Sequence, residues 1–274
     1  MCMLGADFGR LAQAGPLVAC FPIMNMLIID RESDDFKLPA TGPKARHIVK
    51  ILKKGPGDEL AAGCTDGRIG TARIEAHDDT GLCLRFFPNA IADSLLPLTL
   101  LLGFPRPIQA KRILKDLTSL GVAHIMLCGT ELGEKSYIES DFFKKGEYRE
   151  ALLEGAEQAA NPRLPEVESH WTLKRALDAL DTRYGPADKQ GAARCCLDPY
   201  RGEQALSAVA ARLSRERQTP FILGIGSERG WTDAELSMME ERGFRFASLG
   251  RRILKSETAA VAAVAISLAG LGLL

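Results

Sequence analysis

The chain has 274 residues, 46% of them hydrophobic and 26% charged, and its 35 basic side chains balance 35 acidic ones. This is the composition of an ordinary soluble globular protein, long enough to bury one large core or two ordinary ones. With no net charge there is no global field to draw the protein to nucleic acid or acidic lipid, so any polyanion site must be a local basic patch.

Seven cysteines lack C-x-x-C spacing and include only one adjacent pair, Cys195 and Cys196, which excludes a disulfide framework or a zinc signature and suggests a reduced, cytoplasmic setting. His47, His77, His124 and His170 are scattered without ligand spacing, so no metal is expected. Near the N-terminus, Leu17, Val18, Ala19 and Cys20 resemble a lipoprotein cleavage box. No basic cluster precedes them, Asp7 and Arg10 come early, and the apolar run before Cys20 is short. Residues 1–25 therefore read as a disordered extension, or as sequence upstream of the true start, with the first strand in MLIIDRE from Met26.

From Met26 to about residue 93, short apolar runs are broken by the turn sequences GPGDEL, TDG and HDDTG. The alternating stretches RIGTARIEA and GLCLRFF lie between them, which predicts a small β-barrel or sheet. GPKARHIVKILKK reads as one helix carrying Lys44, Arg46, His47, Lys50, Lys53 and Lys54. Such a run is either a solvated helix face or a patch that neutralises RNA phosphates.

IADSLLP, residues 91–97, reads as a linker, and beyond it the pattern changes. LTLLLGF is a strand, AKRILKDLTSLG an amphipathic helix ending at Gly121, and VAHIMLCG a second buried strand. Helices through YREALLEGAEQAA and WTLKRALDALDTRY, a strand at ARCCLD and a helix near GEQALSAVAARLSRER continue the alternation. This is the pattern of a parallel sheet with helices on both faces, so two domains are expected, 26–93 and 94–274.

In TPFILGIGSERGWTDAEL a buried strand, Phe221–Leu223, runs into Gly224, Gly226 and Gly230. Thr232 and Glu235 then mark a capping box at a helix start. Glycines after a strand let backbone amides approach a ligand, and a helix N-terminus favours polar or negative groups, although many such turns are only tight turns. The spacing fails the dinucleotide pattern and the motif falls late in the domain, which disfavours hydride transfer. FRFASLG then reads as a last strand ending at Gly250, RRILKSE as a polar loop and TAAVAAVAISLAG as a helix. Seventeen uncharged residues after Glu257 barely reach the roughly 17–25 needed to span a bilayer. Their Ala and Gly content favours a helix buried in a core or at a subunit interface.

The loops GIGSERG and LGRRILKSETA, followed by an apolar helix, resemble the RsmE family of ribosomal RNA uridine N3-methyltransferases in the SPOUT superfamily. HIVKILKKGPGDEL, SLGVAHI and EGAEQAANPRLPEV extend the resemblance, in order, over nearly the whole chain from Met26. It implies a PUA-like RNA-binding β-barrel followed by an α/β SPOUT domain closed by a trefoil knot, homodimeric, with S-adenosylmethionine held in the knotted loops. By the same resemblance the cofactor would be bound by Leu223, Gly224, Gly226, Gly230, Leu249, Gly250, Ile253, Leu254 and Thr258. Glu228 and Glu257 match the two acidic positions, either of which could polarise the uracil or take its proton, while Glu257 could equally be a helix cap beside Ser256 and Thr258. Arg252 suits phosphate or uracil oxygens. RNA contacts would come from Lys44, Arg46, His47, Lys50, Lys53, Lys54, Arg163 and Lys255, and the partner would be ribosomal RNA or the small subunit.

Several positions depart from the family pattern. Ser227 and Arg229 replace a Pro and a Gly, Lys255 and Ser256 an Arg and a Thr, Asn161 an Arg, Asp116 and Ser119 a Lys and a Glu, and Leu132 an Arg. Lysine for arginine loses bidentate contact. These losses motivate two alternatives to methylation of a 16S uridine: a paralogue with another RNA target, or a non-catalytic RNA-binding or ribosome-assembly protein.

Overall fold

The computed structural model describes residues 26–30, 33–186, 192–215 and 220–274. The N-terminal extension expected over 1–25, with the cleavage-box resemblance at Cys20, lies outside the described residues.

The first part is a five-stranded sheet made of β1 (Leu27–Ile29), β2 (Asp35–Pro39), β3 (Glu59–Cys64), β4 (Arg68–Asp78) and β5 (Gly81–Ile91), in the order β1-β3-β4-β5-β2. β1 joins β3 in parallel and every other pairing is antiparallel. Ile74, Leu82, Leu84 and Phe86 alternate onto a buried face that packs on Leu60, Ala45 and Ile48. The run expected as a single helix is α1 (Pro43–Arg46) widening into a π-helical turn over His47–Ile51. It ends at Leu52, whose N–H donates to His47 O, and Lys53 follows in the left-handed region at φ 56°.

The second part contains β6 (Leu96–Gly103), α2 (Pro107–Ser119), β7 (Val122–Cys128), α3 (Lys135–Ile138), α4 (Asp141–Lys144), α5 (Tyr148–Ala159) and β8 (Glu166–His170). It continues with α6 (Leu173–Tyr184), β9 (Ala193–Leu197), β10 (Gln204–Ala205), α7 (Leu206–Arg215), β11 (Phe221–Ile225), α8 (Asp233–Glu241), β12 (Arg245–Ser248) and α9 (Ser256–Gly270). The seven strands pair in parallel in the order β10-β12-β9-β11-β6-β7-β8. Leu98, Leu100 and Leu102 point to one face, shared with side chains of α2, α5, α7 and α9. Leu101, Met126 and Ile222 point to the other, shared with α6 and α8. That two-sided burial is why these strands read as continuous apolar runs.

Strand β8 has the sequence EVESH and, among the described residues, pairs only with β7, so its polar residues sit on a sheet edge and carried no apolar signal. α9 buries one face, through Ala260, Ala263, Val264, Ser267 and Leu268, and leaves the other open, with Thr258 and Ala269 exposed and Ala262 and Ala265 half-buried.

The two sheets are tied together by polar contacts. Arg149 clasps Asp30 with Nε–Oδ2 2.8 Å and Nη2–Oδ1 2.6 Å, which holds the Asp30 carboxyl below its ordinary pKa. Lys44 pairs with Glu157, and Met26 N–H donates to Glu157 O at 3.2 Å. Among the described residues no helix is long and apolar enough to cross a membrane.

Candidate active site

In a parallel sheet, ligands are met where loops leave the carboxyl ends of the strands. Here the loops after β9, β11 and β12 converge on one pocket of about 350 Å³. The β11 loop is a tight turn in which Gly230 N–H donates to Ser227 O (2.9 Å) and the Ser227 hydroxyl donates to Gly230 O (3.3 Å). The hydroxyl bond is the serine's own, at a position where the family pattern has proline. The backbones pack closely, because a Cβ on Gly226 would lie 2.9 Å from Gly230 Cα, and one on Gly103, at the end of β6, 2.5 Å from Ser227 N.

The turn is also held from outside. Thr232 caps α8 by accepting Glu235 N–H at 3.2 Å, and Glu235 Oε2 accepts Thr232 N–H at 2.9 Å, the predicted capping box. Glu235 is only 2% exposed, and its Oε1 accepts the N–H of Glu131 at 2.9 Å, while Glu131 Oε2 accepts from the Thr232 hydroxyl at 2.9 Å. One buried carboxylate therefore fastens the loop after β7 to the loop after β11. Arg229 reaches the same neighbouring loop, 3.5 Å from Glu134.

The residues expected at the site divide into two groups. Gly226, Gly230, Leu249, Gly250, Ile253, Leu254, Glu228 and Arg252 all line the pocket. Leu223 and Gly224 are buried inside β11 and do not line the pocket; of that strand Ile225 does. Thr258, Glu257 and Lys255 are not among them either. Glu257 does not cap a helix: Lys255 is the N-cap residue, no side chain hydrogen-bonds there, and the Glu257 carboxylate stands 3.9 Å from Arg112. Glu228 is exposed in the pocket, and its Oε1 accepts the N–H of Arg106 at 3.1 Å. Arg106 Nε in turn donates to the Tyr137 hydroxyl at 3.0 Å.

The basic residues expected to face RNA also differ in placement. Arg46, His47, Lys50 and Lys53 are exposed. Lys44 is committed to Glu157 and to Ile28 O (3.3 Å), and Lys54 donates to Glu59 O at 2.9 Å. Arg163 donates to Ala92 O at 3.3 Å with its guanidinium against Gly67, so it braces the joint between the sheets. A larger cavity, about 790 Å³, lies at that joint between α1 and α5, but it has no glycine loop and is lined largely by apolar side chains such as Leu27, Ile48 and Leu153.

Leu197, Asp198, Pro199 and Tyr200, which form the third wall of the pocket, and Arg106 with Tyr137 beside Glu228, were not evident from the sequence. The turn chemistry of LDPYRG was the available signal, since Pro and Gly after a buried strand mark a loop at a strand end.

This fold and pocket define a class. A family profile described as "RNA methyltransferase domain" matches residues 92–268, and one described as "RNA methyltransferase PUA domain" matches residues 40–87. Over 224 residues the chain is 37% identical to ribosomal RNA small subunit methyltransferase E of Treponema pallidum, covering 81% of each protein. It is 28% identical over 244 residues to ribosomal RNA small subunit methyltransferase E 1 of Borreliella burgdorferi, covering 89% of this chain and 97% of that one. In fold it matches the crystal structure of ribosomal RNA small subunit methyltransferase E from Neisseria gonorrhoeae bound to S-adenosyl methionine, with a TM-score of 0.70 at 21% identity, over 90% of this chain and 98% of that one. The chain belongs to the ribosomal RNA small subunit methyltransferase E family.

Proposed function

We infer that this protein uses S-adenosylmethionine to methylate N3 of a uridine in small-subunit (16S) ribosomal RNA. The observation that carries the reading is the pocket between the β9, β11 and β12 loops, with backbone approaching closely at Gly226, in a chain of this family. Its volume suits a single small molecule. Gly226, Gly230, Leu249, Gly250, Ile253 and Leu254 would hold the cofactor, with Leu223 and Gly224 shaping the strand beneath and Thr258 the start of α9.

When bound, S-adenosylmethionine supplies a methyl group already activated as a sulfonium, so the protein has to orient the uridine and accept its N3 proton. Of the two acidic positions, Glu228 lines the pocket and Glu257 does not, which favours Glu228 as the base that takes the proton. Arg252, exposed at the pocket, would hold uracil or phosphate oxygens. Arg46, His47, Lys50 and Lys53 are the exposed cations available to the RNA backbone, and Lys255 is exposed beside the C-terminal loop.

The reading includes a homodimer and a knot. The outward face of α9 carries Thr258, Ala262, Ala265 and Ala269, small side chains that allow a second helix close approach. The connection from β11 to β12 passes over β9, a chain crossing of the kind a knotted C-terminus needs. The cytoplasm, where ribosomal RNA is found, would be the compartment. The division into 26–93 and 94–274 is retained as the working domain boundary, since the first sheet ends at Ile91 and the second begins at Leu96.

The test is calorimetric titration with S-adenosylmethionine, followed by transfer from tritiated cofactor to small-subunit RNA and to particles from a strain lacking the gene. Binding with label in a single uridine is expected. Binding without label would favour another RNA target, and no binding would overturn the cofactor assignment and favour the non-catalytic RNA-binding reading.

A further inference from the structure

We propose that Tyr200 is a stacking platform for an unpaired nucleobase of the RNA substrate at the mouth of the pocket; the proposal rests on the methyltransferase reading above. A pocket of about 350 Å³ lies at the small end of sites for a single small molecule, so a bound cofactor leaves the acceptor base to be gripped at the rim. Proteins that act on a particular RNA base hold it unstacked against aromatic or guanidinium planes.

Two aromatic residues line this pocket, Trp231 and Tyr200. Trp231 is 7% exposed and has no free face to offer, whereas Tyr200 is 89% exposed. No hydrogen bond, ion pair or ring contact engages the Tyr200 side chain among the described residues, so folding makes no evident use of it. Its backbone, by contrast, is firmly held. Asp198 is 6% exposed, and its Oδ1 accepts the N–H groups of Tyr200 (2.9 Å) and Arg201 (2.6 Å). Gly202 N–H donates to Asp198 O at 3.0 Å, and a Cβ on Gly202 would lie 2.5 Å from the Ala247 carbonyl carbon. Arg201 is tied to Asp233 at 2.8 Å and lies over the Phe246 ring.

A rigid turn thus presents a free aromatic ring beside the pocket. Because the backbone is already ordered, stacking a base there costs only the rotation of one side chain. On the same rim Ile253, 78% exposed, offers an apolar surface and the exposed Arg252 a charge for the adjoining phosphate.

The experiment compares Tyr200→Phe, Tyr200→Leu and Tyr200→Ala with wild type in three measurements. These are S-adenosylmethionine affinity by calorimetry, affinity for unmodified small-subunit ribosomal RNA transcribed in vitro by fluorescence anisotropy, and methyl transfer to the same RNA. Base–aromatic stacking is worth roughly a 5- to 150-fold change in affinity. The expected result is a loss of that order in RNA affinity and in kcat/KM for Tyr200→Ala and Tyr200→Leu, near-complete rescue by Tyr200→Phe, and unchanged cofactor affinity in all three. RNA affinity and transfer unchanged by Tyr200→Ala, or rescue by Leu equal to that by Phe, would overturn the proposal. So would a parallel loss of cofactor affinity, which would place Tyr200 on the cofactor, or a loss of dimer seen by sedimentation, which would place it in a subunit interface. If the wild type binds this RNA but transfers methyl neither to it nor to small-subunit particles, the methyltransferase reading fails, while the anisotropy series still decides whether Tyr200 stacks on RNA.

Discussion

At the scale of single residues, the pocket depends on the absence of side chains as much as on their presence. In Gly226→Ala the new Cβ would press on the Gly230 backbone at 2.9 Å, and because backbone cannot swing aside as a side chain can, the turn must move. S-adenosylmethionine affinity is expected to fall at least about tenfold by calorimetry, the effect of losing roughly 1.4 kcal/mol. Gly55→Ala, where nothing lies within 4 Å, serves as the control and should bind normally. Glu228→Gln keeps an acceptor for the Arg106 amide but cannot take a proton. Its expected signature in single-turnover transfer is a rate lowered by about 10²- to 10⁴-fold with cofactor affinity intact. A wild-type rate would return the role of base to Glu257.

At the scale of elements, two buried polar groups decide how strands and loops are held. Glu235→Ala would strip the partners from two backbone amides, Thr232 and Glu131, at a cost of about 2–3 kcal/mol, while Glu235→Gln keeps one acceptor and should lose less. Thermal unfolding should rank them wild type, Gln, Ala. Where β7 meets β8, His124 is 2% exposed, with Nε2 3.2 Å from Glu168 and Nδ1 3.4 Å from the Tyr184 hydroxyl. Burial, reinforced by the charge of Arg183 and opposed by Glu168 and Glu166, lowers its pKa below the ordinary histidine value. The unfolded chain therefore takes up a proton near pH 6.5 that the folded chain resists. This contribution to stability is complete above that pH and is lost as pH falls below it, towards the folded pKa. Melting temperatures measured from pH 7.5 to 5.5 should show that decline, and His124→Gln should flatten part of it.

Elements also differed in how far they could be read in advance. β6, β7 and β11 were legible because burial on both faces demands an unbroken apolar run. α2 and α6 were legible from their one-sided periodicity. β8 was not, since Glu166, Glu168 and His170 recur every second residue on an edge strand and look like loop. The basic run at 43–54 revealed a helix, but not that Lys44 would be taken up by Glu157, more than a hundred residues away along the chain, or Lys54 by the Glu59 carbonyl.

At the scale of the whole molecule, the open face of α9 sets the expected assembly. With Ala262 and Ala265 half-buried and Ala269 exposed, the free chain should sediment as a dimer. Ala265→Arg should shift it to monomer and lower methyl transfer at least about tenfold, as a bulky charge at a close-packed helix contact would. A monomeric wild type would remove the dimer from the proposed function.

The sequence by itself determined the principal strands and helices of the two halves, the parallel sheet with helices on both faces, the glycine turn after β11 and, through motif resemblance, the family. These are local properties: burial period, turn chemistry and short motifs are written in adjacent residues. Tertiary structure alone decided that Leu197–Tyr200 complete the pocket, that Glu228 rather than Glu257 lines it, that Glu235 reaches 104 residues back to hold Glu131, and which cations remain free. Those facts depend on strand order and on the competition of each charge for its nearest partner. Both are set by distance in space, which spacing along the chain does not encode.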